Sequence, residues 1–196
     1  MSLFLVVGLG NPGPTYAGNR HNVGQMVLDV VSEDMGAPFA AHKARAQVCD
    51  GRLGFDGGLP GPRVILAKPQ TYMNVSGPVV ARLAKFYSIP PEQILLIHDE
   101  LDLPPHTLRL KRGGGEGGHN GLKSTSAALG TKDYLRLRVG VGRPPGRMDA
   151  AAFVLRDFPP SERAEWAVTL VAAADAIGEV VRSGFAAAQE RLHRPT

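Results

Sequence analysis

Val6 to Tyr16 reads VVGLGNPGPTY, and the fold depends on what its glycines are for. An apolar run, Leu3 to Val7, has the pattern of a strand buried on both faces. It ends in Gly8-Leu9-Gly10-Asn11-Pro12-Gly13, which satisfies the G-x-G-x-x-G spacing of a dinucleotide loop. Such a loop must open directly into a helix whose N-terminus faces the pyrophosphate. Here Pro12, Gly13 and Pro14 intervene, and the first helical stripe (Val23, Met26, Val27, Val30, Val31) starts only near Val23. The acidic residue expected about twenty positions on falls at Glu33 or Asp34, inside that helix. The spacing is an accident, and the polar residue in the loop, Asn11, becomes the point of interest.

The rest of the chain alternates in the same way. Gly36 and Pro38 end the first helix, and residues 42 to 63 read as irregular strands around the turn FDGGLPG. Val64 to Ala67 and Ile94 to Ile97 are buried strands flanking a second helical stripe, Val79 to Tyr87. Leu108 to Lys111 and Leu135 to Val141 alternate, with one more polar face. A helix is expected over about 161–183, carrying Trp166, Leu170, Ala173, Ile177 and Val180, with a mobile tail at 185–196. The expectation is a single catalytic α/β domain, 1–196, with a mixed sheet flanked by helices.

Bulk properties restrict the function class. The chain has 196 residues, 43% of them hydrophobic and 20% charged, which suits one soluble globular domain. Net charge is +4, so nucleic acid is admissible as a partner without being required. Cys49 is the only cysteine, which excludes an intramolecular disulfide and fits a reducing compartment. It reads as a half-buried, inert thiol, since no cation sits beside it in sequence. No stretch reaches the roughly twenty apolar residues of a membrane span. A cytoplasmic location is expected.

The polar residues cluster at strand and helix ends. Asn11 follows the first strand, Asn74 lies after Val64 to Ala67, and Asp99 follows Ile94 to Ile97. His21-Asn22 and His119-Asn120 each precede a helix. In open α/β sheets these ends border one crevice. Singly, each residue has an ordinary use as a cap or turn former. Jointly, they supply an imidazole to act as general base on water, a carboxylate to orient it and amides to hold a carbonyl oxygen. There is no G-x-S-x-G elbow. The His98 to Asp102 run, HDELD, with His119 offers metal-ligand types at no established spacing. Neither a metal nor a cofactor is expected.

Five blocks then carry a resemblance: VGLGNPGPTYAGNRHNVG from Val7, KPQTYMNVSG from Lys68, HDELDLPP from His98, GGGEGGHNGLKS from Gly113 and RLRVGVGRP from Arg136. In order, from Leu5 to about Phe158, they resemble bacterial-type peptidyl-tRNA hydrolase, while the C-terminal helix matches only loosely. The resemblance implies one compact, mostly monomeric domain with a twisted mixed sheet. It also implies hydrolysis of the ester between a peptidyl, or other N-blocked aminoacyl, group and the 3′ end of tRNA. By position, His21 resembles the general base, Asp99 its supporting acid, and Asn11 the residue that tells blocked from free aminoacyl groups. Tyr16, Tyr72, Asn74 and Asn120 match contacts to the tRNA or peptidyl moiety, and Lys111 and Arg138 a basic pair, distant from the cleft, that grips a terminal phosphate. Gly113 to Gly118 becomes a mobile rim, and Arg109 and Arg136 solvated strand residues. The alternatives are a non-catalytic RNA-binding module, which needs the basic strip but no His21–Asp99 pair, and a nicotinamide-dependent oxidoreductase, which the glycine loop disfavours.

Overall fold

The computed structural model describes residues 2–194. Its framework is a seven-stranded sheet. The strands are β1 (Phe4–Gly8), β2 (Ala40–His42), β3 (Ala46–Arg52), β6 (Arg63–Pro69), β7 (Ile94–Glu100), β8 (Leu108–Arg112) and β9 (Leu135–Gly140), with β4 (Phe55–Asp56) and β5 (Leu59–Pro60) as a separate hairpin. The order is β2-β3-β6-β1-β7-β9-β8. Its centre, β6-β1-β7-β9, is parallel, β3 and β8 run antiparallel to it on either side, and the edge strand β2 pairs antiparallel with β3.

The helices are α1 (Val23–Met35), α2 (Ser76–Phe86), α3 (Asn120–Leu129), α4 (Ala150–Val154), α5 (Arg163–Ser183) and α6 (Phe185–His193). Alternate residues of β1 point to opposite faces, and both faces are covered. Phe4 and Val6 pack with Val27, Val31, Trp166 and Ile177 of α1 and α5. Leu5 and Val7 pack with Val79, Val80 and Leu83 of α2 and Leu122 of α3. That is why β1 reads as an unbroken apolar run rather than an alternating one.

The glycine that ends β1 and the one in the first turn of α1 have a packing role. A Cβ on Gly24, at the start of α1, would lie 2.2 Å from the Ile97 carbonyl oxygen, and one on Gly8 would lie 2.5 Å from the Gly24 oxygen. Only bare backbone lets α1 press against the ends of β1 and β7. This contact brings the residues just before α1 alongside those at the end of β7.

Three expectations are corrected. Residues 185 to 193 form α6 rather than a mobile tail, because the edge of β8 gives the helix something to bind. Gln189 Nε2 donates to the Leu110 carbonyl, and the Leu110 amide donates to His193 Nε2 at 3.1 Å; residues 195 and 196 lie outside the described part. The 46–52 stretch is a regular strand, since its ladder to β6 overrides its polar composition. Cys49 is fully buried and bonded to the Ala37 carbonyl, and burial pushes its thiol up. Among the described residues no helix is long and apolar enough to cross a membrane.

Candidate functional site

At the carboxyl ends of β1, β6 and β7 lies a cleft of about 550 Å³ lined by Asn11, His21, Tyr72, Asn74, Asp99, Glu116 to Asn120, and the apolar residues Ala150, Ala151, Val154 and Leu155. Its floor is Asp99, buried in β7. Asp99 accepts from His21 Nδ1, 3.0 and 2.9 Å from its two oxygens, and from His119 Nε2 at 2.9 Å. Burial pushes the carboxyl up, but the imidazoles of His21 and His119 outweigh it and hold the group well below the usual carboxylate range.

The ring tautomers follow from these partners. His119 caps α3, and its Nδ1 accepts from the amides of Gly121 (3.1 Å) and Leu122 (3.4 Å), so its proton sits on Nε2 and points at Asp99. A carboxylate only accepts, so His21 donates through Nδ1, which leaves its Nε2 lone pair available to the cleft. A third ring, His98, donates from Nδ1 to the Asp99 carbonyl. Burial, then the neighbouring His119, push it down to about 3, and it stays neutral.

His21 is held in place from outside the cleft. Asn19 Nδ2 donates to Asp157 Oδ1 at 2.7 Å, and the Arg20 guanidinium lies 4.0 Å over the Phe153 ring while bonding the Phe153 carbonyl at 3.3 Å. The loop that begins with the misleading glycines is thereby pinned to α4.

Asn11 is fixed by a different set of bonds. Asn22 accepts from the Asn11 amide at 3.0 Å and donates to its carbonyl at 2.9 Å. The Asn11 side-chain oxygen accepts from the Met73 amide at 2.7 Å. The side-chain oxygen is thus held on the inner side of the cleft wall. Among the described residues no protein group accepts from its Nδ2, which makes this buried side chain a positioned donor for a substrate carbonyl.

The structure brings Asn11, His21, Tyr72, Asn74, Asp99 and Asn120 to one cleft. Tyr16 is not in its wall but stands edge-on to Tyr72, with ring centroids 6.2 Å apart. Lys111 and Arg138 line a second pocket of about 180 Å³, which shares His98, Glu100 and Gly117 with the cleft. The basic pair is therefore not distant from the cleft but next door to it. Arg138 Nε is paired with Glu100 Oε1 at 3.0 Å, whereas Lys111 forms no ion pair among the described residues. Arg109 is exposed as expected, but Arg136 is 1% exposed, turned under the glycine rim instead of into solvent.

Sequence reasoning passed over His119 as an Asp99 ligand and Asn22 as the clamp on Asn11. Both looked like caps, and His119 is one; pairing across 20 and 11 residues is a tertiary fact. The ligand atoms of His21, Asp99 and His119 lie within 4.8 Å of one another, so this trio is also a set able to hold a metal ion.

The comparisons agree with the geometry. The model of the peptidyl-tRNA hydrolase family matches residues 5–196, reaching through α5 and α6, where the sequence resemblance was loose. A peptidyl-tRNA hydrolase of Arthrobacter sp. (strain FB24) is 60% identical over 190 residues, covering 97% of this chain and 96% of the relative. One from Rhodococcus jostii (strain RHA1) is 57% identical, covering 96% and 97%. The crystal structure of peptidyl-tRNA hydrolase from Acinetobacter baumannii superposes with a TM-score of 0.86 at 35% identity, covering 97% of this chain and 94% of that one. A single α/β domain, a mixed sheet whose parallel centre ends at a His–Asp–His cleft, and these matches along nearly the whole length place this chain in the peptidyl-tRNA hydrolase family.

Proposed function

We propose that this cleft performs the family's reaction, hydrolysis of the ester joining a peptidyl group to the 3′ end of tRNA, with His21 as the general base. The observation that carries the assignment is the buried Asp99 carboxylate accepting from His21 Nδ1. It fixes the tautomer whose Nε2 takes a proton from water, and it stabilises the imidazolium formed as that water attacks the ester carbonyl. The proton then passes to the departing ribose oxygen as the tetrahedral intermediate collapses.

Asn11 Nδ2 donates to the carbonyl that an N-blocked aminoacyl group has and a free aminoacyl group lacks. A free α-ammonium would instead meet a donor, an unfavourable pairing of like groups. Tyr72, Asn74 and Asn120 contact the aminoacyl-ribose end, and Ala150, Ala151, Val154 and Leu155 give the peptide an apolar wall suited to many side chains. Tyr16 supports Tyr72. Lys111 and Arg138 bind a tRNA phosphate, a contact that reads no base and so serves many tRNAs. The protein acts as a monomer in the cytoplasm; the single buried thiol supports the compartment, and sedimentation at micromolar concentration tests the oligomeric state.

The test is turnover of N-acetyl-aminoacyl-tRNA against free aminoacyl-tRNA. Hydrolysis of the first with little of the second is expected. A folded preparation that binds both and cleaves neither is an RNA-binding module, and the assignment fails.

A further inference from the structure

We propose that Arg136 is the positioning residue for the glycine rim of the cleft, and through the rim for His119 and Asn120; this rests on the cleft being the substrate site. Among the described residues Arg136 is the largest fully buried side chain, and no carboxylate pairs with it. A buried cation without a counter-charge is costly unless its N–H groups are all directed at acceptors. Arg136 finds them in main-chain carbonyls for both Nη atoms, while its buried Nε has no partner among the described residues. Nη1 donates to Gly115 O at 2.5 Å, and Nη2 donates to Gly114 O at 2.8 Å and to Lys132 O at 3.4 Å. Its guanidinium also lies 4.7 Å over the Tyr134 ring.

The rim is shaped to present those carbonyls. Gly113 and Gly114 have φ of 65° and 97°, in the left-handed region that glycine enters without strain. Lys132 pairs with Glu116 at 3.1 Å, and the His119 amide donates to the Glu116 carbonyl at 2.9 Å. A continuous path therefore runs from the Arg136 fork through Gly114, Gly115 and Glu116 to His119, and from there to Asp99. Arg136 is not in the wall of the cleft, although it lines the adjoining pocket with Lys111 and Arg138; its action on the cleft runs through the rim. A lysine keeps the charge but not the planar fork that spans two successive carbonyls.

The experiment compares wild type with Arg136→Lys and Arg136→Ala. Hydrolysis is measured on full N-acetyl-aminoacyl-tRNA and on a short 3′-end fragment carrying the same group. Amide exchange at His119, and at Leu96 and Leu137 in the sheet, is followed in parallel. In Arg136→Lys, His119 exchange should rise while the strand amides keep their protection. Both substrates should lose kcat/KM equally, by about tenfold, the scale of one lost charge-assisted bond. Methylguanidinium should restore part of the activity of Arg136→Ala. A loss confined to full tRNA would make Arg136 a phosphate ligand and overturn the proposal. So would unchanged exchange at His119, or strand amides that lose protection to the same degree. If Arg136→Ala does not fold, the lysine variant and its exchange pattern decide. Should wild type cleave neither substrate, the reading of the cleft fails, while the exchange data still report on Arg136.

Discussion

Replacing Asp99 by Asn keeps the shape of the cleft floor and removes one acceptor. Both partners currently donate to the carboxylate, His119 through Nε2 and His21 through Nδ1. His119 cannot change, because its Nδ1 lone pair is held by the Gly121 and Leu122 amides. The Asn carbonyl oxygen must therefore stay where His119 reaches it. The amide NH2 then replaces Oδ2, 2.9 Å from His21 Nδ1, while the retained oxygen, 3.0 Å away, is shared with His119. His21 Nδ1–H thus keeps half an acceptor beside an opposing N–H, and the shift of its proton to Nε2 is favoured. That is the wrong tautomer for a base, and the positive charge that forms on the ring loses its counter-ion. The expected loss in kcat is between about a hundredfold and 10⁴-fold, or about 2.7–5.4 kcal/mol. The assay is single-turnover hydrolysis of N-acetyl-aminoacyl-tRNA, with long-range proton–nitrogen NMR to locate the His21 proton. A variant within threefold of wild type, or one that is slow with its proton still on Nδ1, would refute the tautomer argument.

Two further perturbations separate the remaining roles. Exhaustive chelation should leave hydrolysis intact, because imidazole rather than a Lewis acid activates the water. Loss restored by zinc or manganese would reassign the His21–Asp99–His119 trio as a metal site. Lys111→Ala and Arg138→Ala should raise KM for full tRNA more than they lower kcat, and should flatten the salt dependence by a slope of about one per charge. Lys111 should show the larger effect, since Arg138 is already matched by Glu100. A short 3′-end substrate should be nearly spared, and equal damage to both substrates would reject the phosphate role.

The parallel centre of the sheet was legible because its strands are buried on both faces, and their apolar runs in β1, β6 and β7 have few other readings. β3, α4 and α6 were not. β3 takes its regularity from pairing with β6, α4 is a single turn and a half of alanines and two larger apolar residues, and α6 depends on docking to the β8 edge. The same division runs through the cleft. Asn11, His21 and Asp99 stand at element ends, where chain order alone suggests a crevice. What each one bonds to is long-range, so the second histidine on Asp99 and the Asn22 clamp had no local signature. Arg136 shows the converse error, since alternation in LRLRVGV put it on a polar face that the glycine rim in fact covers.

The central claim is that His21 removes a proton from water while the tRNA is held mainly by other groups. Its most direct test is His21→Ala, with the chemical step measured under single-turnover conditions alongside tRNA affinity. The chemical step should fall by about a hundredfold or more, with the dissociation constant for N-acetyl-aminoacyl-tRNA little changed. A pure, folded His21→Ala protein that still turns over at near the wild-type rate would contradict it.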